Sequence, residues 1–385
     1  MRERAEASSA GGSAIRATGS ASRVLAPTID GDRIDWRALL EANLGVPFTD
    51  GNRVDVLRNG VEIFAPMLDA IRNAEIEVDF LTYVYWTGAI ACEFAETLAE
   101  TARRGVRTRV LLDAVGAKPM SPALLEAMRS AGVEVEWFRP LRFWHLTRTA
   151  NRTHRKVLLC DGRIGFTGGV GIGEEWEGDA RGPSEWRDTH FRIEGPAVRG
   201  LRAAFIENWL EATGSFEPPI RVWSHDASGG NAAIQVVRST ASFGWSDIAT
   251  LLRTILAAAR ARLRIQTAYF VPDATTRKLL CEAVARGVEV DVIVPGPHMD
   301  VRLSQLAGEA VYRPLLEGGV RIWTYQKTMM HAKILLVDGE LACTGTANFN
   351  QRSMGKDDEI TVSILDRETH DTLDRHFEED LEAST

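Results

Sequence analysis

HRKVLLCDG at residues 154–162 and HAKILLVDG at residues 331–339 both fit the pattern H-x-K-x4-D. In a chain of 385 residues with eight histidines and six lysines, chance predicts about 0.007 such matches. In both segments the apolar run after the lysine is typical of a buried strand, and the Asp-Gly pair is typical of a hairpin turn. Residues two apart share one face of a strand, so each histidine should project together with its lysine.

The two motifs lie inside a longer internal duplication. Further matching pairs are Thr82-Tyr83 with Ala268-Tyr269, Arg104-Gly105-Val106 with Arg286-Gly287-Val288, and Gly132-Val133 with Gly319-Val320. Each half alternates strand patterns with helices of ten or more residues. The sequence therefore predicts an α/β fold of two related halves, each a mixed β-sheet flanked by helices. We expect the halves to pack about a pseudo-two-fold axis with one shared active site.

The predicted domain organisation follows from this duplication. We expect a flexible tail over residues 1–28, a first half over residues 29–228 and a second half over residues 229–385. A linker rich in proline, glycine and serine over residues 214–230 separates them. Length alone suggests two or three domains. One bilobal unit fits better, because each half carries only one His-Lys pair.

Composition excludes several classes of protein. Apolar residues make up 45% of the chain and the net charge is −8, so it is globular and has no overall basic field for nucleic acid. No window of about 18 uncharged apolar residues is present, and the first 25 residues lack the apolar run of a signal peptide. The four cysteines lie far apart without metal-ligand spacing, which favours small buried side chains.

Two imidazoles and two ammonium groups converging on one cleft suit the chemistry of a phosphodiester. The catalytic candidates are His154, Lys156, His331 and Lys333. The lysines can bind the non-bridging oxygens, while one histidine attacks phosphorus and the other protonates the leaving oxygen. This chemistry requires no metal and no cofactor.

Carboxylates near the motifs are further candidates. A nucleophilic histidine needs an acid that holds its tautomer, and Asp188 and Glu359 each follow a motif histidine by about 30 residues and precede or open a strand. Asp161 and Asp338 complete the motifs and join the candidate catalytic set. They fall at turns on the far end of each strand, so we expect a structural role for them.

The paired motifs resemble those of the phospholipase D superfamily, and the flanking segments are similar to its bacterial cardiolipin synthase branch. The similarity covers the chain from about Arg53 to the C-terminus. It is carried by residues 167–176 (TGGVGIGEEW), 185–190 (EWRDTH), 193–198 (IEGPAV), 269–273 (YFVPD) and 344–353 (TGTANFNQRS).

This resemblance implies a two-step, metal-independent transfer of a phosphatidyl group through a phosphohistidine. It implies His154 as nucleophile and His331 as general acid, an order that the residues alone leave open. The donor would be phosphatidylglycerol or a related phospholipid, and the product cardiolipin. The implied substrate-binding residues are Asn348, Gly169, Thr346, Arg352 and Ser353.

The chain departs from the family pattern in and near these segments. Gly171 stands where the family usually has Asn, whereas the second half keeps Asn348. Asn350 replaces a usual Asp, Asp357 a usual Asn, and Ala268 a common Pro. The two halves are therefore expected to be chemically unequal.

Typical bacterial cardiolipin synthases carry two N-terminal membrane helices, and this sequence has none. We therefore expect a cytoplasmic protein in peripheral contact with the inner face of the cell membrane, and a monomer that suffices for activity. Residues 139–155 interleave five arginines with Phe143, Trp144 and His145, which suits an anionic lipid surface or the solvated rim of a cleft. Nucleic-acid backbone would suit similar residues, although the overall charge disfavours that partner.

Two rival functions remain open at this point. A phospholipase D-type phosphodiesterase or nuclease would pass the same phosphohistidine to water. A catalytically silent membrane-binding or scaffold protein would use the fold without turnover. The intact His-Lys pairs argue against the silent protein, and Gly171 argues weakly for it.

Overall fold

The computed structural model describes residues 28–29, 33–140, 151–215, 229–240 and 246–385. The predicted N-terminal tail, most of the linker and the Phe143-Trp144-His145 part of the basic-aromatic segment lie outside these ranges. In the parts of the chain that are described, no helix combines the length and apolar character needed to cross a bilayer.

A sheet of 14 strands forms the centre of the molecule. The strands run in the order β13-β12-β11-β14-β15-β16-β10-β3-β9-β8-β7-β4-β5-β6, which reads as two matching sets of seven that meet at the antiparallel β10–β3 pair. The strands are β3 (Thr49–Arg58), β4 (Glu77–Thr82), β5 (Arg107–Asp113), β6 (Glu134–Phe138), β7 (Val157–Cys160), β8 (Ile164–Gly168), β9 (Thr189–Glu194), β10 (Ala232–Ser239), β11 (Arg262–Gln266), β12 (Glu289–Pro295), β13 (Arg321–Tyr325), β14 (Ile334–Val337), β15 (Leu341–Gly345) and β16 (Glu359–Leu365). A separate two-stranded ribbon pairs β1 (Thr28–Ile29) with β2 (Arg33–Ile34).

This order has the symmetry that the duplication predicts. In each set three parallel strands lie at the outer edge, and the motif strand, β7 or β14, runs antiparallel beside them. The next two strands complete an antiparallel meander towards the centre. The prediction of two related α/β halves about a pseudo-two-fold axis is confirmed.

Helices cover both faces of the sheet. They are α1 (Trp36–Leu44), α2 (Asn59–Arg72), α3 (Ala89–Arg103), α4 (Pro122–Ser130), α5 (Val198–Thr213), α6 (Asp247–Ala258), α7 (Ala274–Ala285), α8 (Arg302–Glu317), α9 (Gln351–Gly355) and α10 (Arg367–Glu382). All four residues of β7 and of β14 are buried, as expected for strands with helices on both faces. The run of consecutive apolar residues in each motif is thus explained by burial from two sides.

Three hydrophobic clusters hold the layers together. One lies mainly in the first half but includes Met329 of the second, and another joins the second half to α1 and its flanks through side chains such as Trp36 and Leu40. The third spans both halves beneath α5 and α10, with Phe205 and Phe377 among its members. Because α1 lies in the first half by sequence but packs on the second, the halves interlock. The boundary between residues 228 and 229 stays a prediction.

The Asp-Gly pairs after the motif strands form the predicted hairpin turns. Asp161 and Gly162 both have positive φ (55° and 63°), as do Asp338 and Gly339 (53° and 74°). Two consecutive residues with positive φ are typical of the type I′ turn that matches the twist of a tight hairpin. The turns connect β7 to β8 and β14 to β15, and they lie at the end of each strand remote from the histidine.

Candidate active site

The histidine of each motif lies just before the motif strand begins. A backbone hydrogen bond to the opposite half holds it in place. The backbone N–H of His154 donates to the carbonyl of Asp358 at 2.9 Å, and that of His331 donates to the carbonyl of Arg187 at 2.7 Å. Single β-bridges, Thr153 with Asp358 and Arg187 with Met330, flank these bonds. The next residue after Asp358 is Glu359, and the next after Arg187 is Asp188. Each histidine therefore lies beside one of the two candidate acids, and that acid belongs to the opposite half.

Glu359 of the second half contacts the first-half histidine. Both carboxylate oxygens lie 3.1 Å from Nδ1 of His154, and the carbonyl of Thr346 lies 3.0 Å from the same atom. The hydroxyl of Thr346 donates to Glu359. Glu359 is buried, which disfavours its ionised form, but His154 and the neighbouring donors keep its pKa below the usual value.

Asp188 of the first half contacts the second-half histidine in the same way. Its Oδ2 lies 2.7 Å from Nδ1 of His331 and accepts a hydrogen bond of 2.9 Å from the indole Nε1 of Trp176. Burial raises the pKa of Asp188, and the opposing effects of His331 and Lys333 leave it lowered overall. The sequence identified both acids as candidates, but the proximity of each to its preceding histidine was misleading. The acid of one half serves the histidine of the other.

The two lysines lie beneath the histidines and are almost fully buried. The ammonium of Lys156 donates to the carbonyl of His154 at 2.9 Å, and that of Lys333 donates to the carbonyl of His331 and lies 3.2 Å from its Nε2. Burial lowers the pKa of Lys156 to about 7, with Lys333 adding repulsion, and burial lowers the pKa of Lys333 to about 8. An anion bound between them would raise both values, so the pair is suited to hold a phosphate.

Burial also favours neutral imidazoles. It lowers the pKa of His331 to about 4, with further repulsion from Lys333, and it lowers the pKa of His154 despite the attraction of Glu359. With Nδ1–H donating to the acid, the lone pair of each neutral ring is on Nε2. That tautomer presents a nucleophile or a proton acceptor to the cleft.

A cleft of about 230 Å³ opens above the two histidines. Its walls differ in chemistry between the two halves. The residues lining it are Tyr83, Val84, Trp86, His154, Lys156, Trp176, Trp186, Tyr269, Asp300, Ser304, His331, Asn348, Asn350, Arg352, Ser353 and Asp357. Three tryptophans lie on the first-half side, whereas the second-half side consists mainly of amide, hydroxyl and charged groups.

The predicted substrate-binding residues divide into two groups. Asn348, Arg352 and Ser353 line the cleft. Gly169 and Thr346 lie behind the acids instead. A Cβ on Gly169 would come within 2.1 Å of Oδ1 of Asp188, so glycine allows the carboxylate to approach, while Thr346 donates to Glu359. We interpret these two as positioning residues.

Asp161 and Asp338 lie away from the cleft, in the hairpin turns. Asp161 accepts the backbone N–H groups of residues 75–77, and Asp338 accepts those of residues 260–262. Each carboxylate thereby ties the turn to the start of the neighbouring strand, β4 or β11. They do not reach the reacting atoms, which corrects their place in the catalytic set and agrees with the expected structural role.

The missing amide of the first half has a structural explanation. A Cβ on Gly171 would lie 2.6 Å from Cβ of Val84 and 3.1 Å from the indole of Trp176. The indole thus occupies the space into which an asparagine side chain would extend. Trp176 itself corresponds to Ser353 in the duplication, since both lie 22 residues after the motif histidine.

The tryptophans are the site residues that sequence reasoning missed. Trp176 and Trp186 pack against His331 with ring centroids 5.3 and 5.2 Å away, and Trp86 packs against both indoles. The sequence could have indicated them as site residues, because Trp186 lies two residues before Asp188 and Trp176 is the last residue of the segment 167–176. Tyr83, which directly follows β4, also lines the cleft, with its ring 5.2 Å from that of His154.

Within the described residues, no group of three or more His, Cys, Asp or Glu side chains is arranged to hold a metal ion. Glu174, Glu175 and Glu177 line a surface depression beside the cleft. The four cysteines are unpaired, and Cys160 and Cys343 are buried.

Comparison with known proteins places this site in a family. A family model described as "Cardiolipin synthase, PLD-like domain" matches residues 67–175 and 252–381. Cardiolipin synthase 1 of Bacillus anthracis is 35% identical over 350 residues, covering 89% of this chain and 69% of the relative. A cardiolipin synthase of Geobacillus kaustophilus is 34% identical over 343 residues, covering 87% of this chain and 67% of the relative.

Solved structures support the fold. A phosphatidylserine synthase of Haemophilus influenzae superposes with a TM-score of 0.71 at 14% identity, covering 91% of this chain and 92% of that one. A polyphosphate kinase of Porphyromonas gingivalis superposes with a TM-score of 0.56 at 14% identity, covering 85% of this chain and 50% of that one.

Proposed function

Because the chain belongs to the cardiolipin synthase family of phospholipase D-like proteins, we propose that it is a phosphatidyltransferase that forms cardiolipin from phosphatidylglycerol or a related phospholipid. The observation that carries this proposal is the convergence of two histidine–acid pairs and two lysines on one cleft. The substrates are phospholipids, and the four motif side chains can carry out both steps of the transfer.

The first step forms a phosphohistidine. Following the family resemblance, Nε2 of His154 attacks the phosphorus of the donor while Glu359 holds the proton on Nδ1. The anionic phosphate bound beside His331 raises the pKa of this imidazole, so that it is protonated in the complex. The bond from phosphorus to the headgroup oxygen breaks, and His331 gives its Nε2 proton to that oxygen. Lys156 and Lys333 stabilise the negative charge on the non-bridging oxygens. For phosphatidylglycerol, the released alcohol is glycerol.

The second step transfers the phosphatidyl group to an acceptor. His331, now neutral, accepts the proton of an acceptor hydroxyl, and the resulting oxygen attacks phosphorus. The phosphorus–nitrogen bond to His154 breaks, and both histidines return to their starting states. A second phosphatidylglycerol supplies the hydroxyl when cardiolipin is the product.

The direct test uses purified protein and phosphatidylglycerol labelled in the phosphatidyl group. We expect labelled cardiolipin and an equal amount of glycerol, and denaturation at alkaline pH should trap an acid-labile phosphohistidine. Labelled phosphatidic acid without cardiolipin would favour the phospholipase D-type alternative. Formation of neither product would overturn the lipid assignment.

We also infer that the protein works at the inner face of the cell membrane through peripheral contact, since a bilayer holds its phospholipid substrate. A monomer suffices in this proposal, because one chain supplies both His-Lys pairs and both acids. Light scattering during turnover tests this inference, and activity confined to an oligomeric fraction would contradict it.

A further inference from the structure

Two equivalent loops flank the mouth of the cleft. The motif histidines precede β7 and β14, whose first residues pair with the carboxyl ends of β4 and β11. The parallel neighbours β5 and β12 end at the same side of the sheet, and the pseudo-two-fold axis relates them. The loop after β5 (residues 114–121) and the loop after β12 with the first turns of α8 (residues 296–306) therefore lie on opposite sides of one opening.

Contacts with cleft residues locate both loops. In the first loop the carbonyl of Gly116 accepts a 2.8 Å hydrogen bond from the indole of Trp86, which lines the cleft. In the second loop Asp300 accepts from the hydroxyl of Tyr269 at 2.7 Å, and Asp300 and Ser304 are themselves cleft residues. The loops are thus continuous with the walls of the site.

Both loops expose large apolar side chains beside a cation. Val115 is 39% exposed, Val301 41% and Leu306 55%, and these are three of the six exposed large hydrophobic residues in the described chain. Lys118 and Arg302 are exposed in the same two loops. Apolar side chains next to cations are typical of surfaces that insert into the interface of an anionic bilayer.

The position of the substrate indicates that this surface faces the bilayer. A phospholipid whose phosphate lies between the two lysines must lead its acyl chains out through the mouth, because the cleft is too small to enclose them. Water around those chains would be unfavourable unless the mouth met the hydrocarbon of the bilayer.

We propose that residues 114–119 and 301–306 form a docking rim that inserts Val115, Val301 and Leu306 into an anionic bilayer over the open cleft. This proposal rests on the proposed function for its choice of partner. The rim delivers a lipid headgroup to the histidines while its acyl chains remain in the membrane.

One helix supplies both a test variant and a matched control. Leu306 and Leu316 lie in α8 and are 55% and 53% exposed. They are ten residues apart, which is about 15 Å along a helix, and Leu316 lies at the end that leads to the start of β13, remote from the cleft. L306D and L316D therefore introduce the same change at equal exposure.

The experiment measures sedimentation of full-length protein with vesicles of phosphatidylcholine, with and without phosphatidylglycerol. We expect L306D and V301D each to weaken binding to the anionic vesicles by about tenfold, as removal of one inserted side chain predicts, and L316D to bind like the wild type. Wild-type binding should weaken on neutral vesicles. Unchanged binding of both rim variants, or equal weakening by L316D, would overturn the proposal.

A soluble substrate separates this proposal from the proposed function. Short-chain phosphatidylglycerol, dispersed as monomers, reaches the cleft without a membrane. L306D and V301D should turn it over at the wild-type rate, which also shows that they are folded. Loss of this activity in the rim variants would contradict a docking role, whereas an inactive wild type would refute the proposed function and leave the vesicle result to decide the rim.

Discussion

The two half-sites share a backbone frame and differ in the walls that surround it. In both halves a histidine contacts an acid from the other half, and a lysine donates to the carbonyl of that histidine. In each half the residue two positions before the acid donates its backbone N–H to a carbonyl in the segment that follows β8 or β15. Trp186 donates to Glu175, and Asp357 donates to Arg352. Those paired positions are aromatic and polar, respectively.

This comparison shows which parts of the duplicated unit could diverge. The positions of the reacting groups depend on strand ends and on backbone hydrogen bonds between the halves. Both features occur in the same form in each half-site. The side chains that form the walls of the cleft differ between the halves, so Trp176 stands where the second half has Ser353. Both nevertheless hold an acid, since Trp176 donates to Asp188 and Ser353 stabilises the ionised form of Glu359 by hydrogen bonding.

The largest expected effect distinguishes the two histidines. H154A and H331A should each reduce turnover by about 10⁴-fold or more, because each step needs both groups. Only H331A should still accumulate phosphoenzyme, slowly, when His154 is the nucleophile. Labelling stopped by denaturation at alkaline pH, followed by peptide mapping, measures this, and label on His331 in H154A would reverse the roles.

The exchange of acids between halves is tested next. D188N and E359Q keep the shape of the side chain but remove its charge, and we expect each to lower turnover by about 10³-fold. Nitrogen-15 spectra of the imidazoles provide the sharper measurement. D188N should move the resonances of His331 and leave those of His154 nearly in place, and E359Q should do the opposite. The reverse pattern would mean that each acid serves its own half.

A smaller effect concerns the aromatic wall. W176F removes the Nε1–H that Asp188 accepts, and a hydrogen bond to a charged group is worth about 1.5–3 kcal/mol, so turnover should fall by roughly tenfold or more. Without this donor the pKa of Asp188 rises, the imidazolium of His331 is stabilised, and the pH–rate limb set by His331 moves to higher pH.

W186F is the matched control for that variant, because Trp186 also packs against His331 at 5.2 Å, whereas the indole that donates to Asp188 is that of Trp176. It should leave the position of the limb unchanged. Equal shifts in the two variants would assign the effect to ring packing rather than to the hydrogen bond.

The last expected effect is on stability rather than on turnover, and it concerns Asp357 on the polar wall. Burial and repulsion by Glu359 raise the pKa of Asp357 to about 7, above its ordinary value of 3.8. Between about pH 4 and 7 the folded state therefore binds more protons at this position than the unfolded state does. The free energy of unfolding then falls as pH rises through this window.

D357N removes that dependence. Its stability relative to the wild type should increase from pH 4 to pH 7 and then level off. Urea unfolding at four pH values measures the difference, and a constant difference across the window would show that Asp357 ionises normally.

The sequence alone determined much of this molecule. The repeated motif, with its apolar run and its Asp-Gly pair, correctly predicted a buried strand and a tight hairpin in each half. These features depend on neighbours a few residues away, through the alternation of a strand and the positive φ of a turn. The offsets between repeated segments were sufficient to predict two related halves.

Only the tertiary structure decided how the halves complete each other. In the sequence each acid is closest to the histidine that precedes it. The bridges from Thr153 to Asp358 and from Arg187 to Met330 nevertheless bring each acid to the histidine of the other half. Likewise, nothing near Gly171 in sequence indicates that Val84 and an indole five residues onward fill the space beside it. The contacts between the halves depend on packing about the pseudo-two-fold axis, which joins residues up to about 200 positions apart, and those around Gly171 depend on packing within the first half; neither leaves a local pattern.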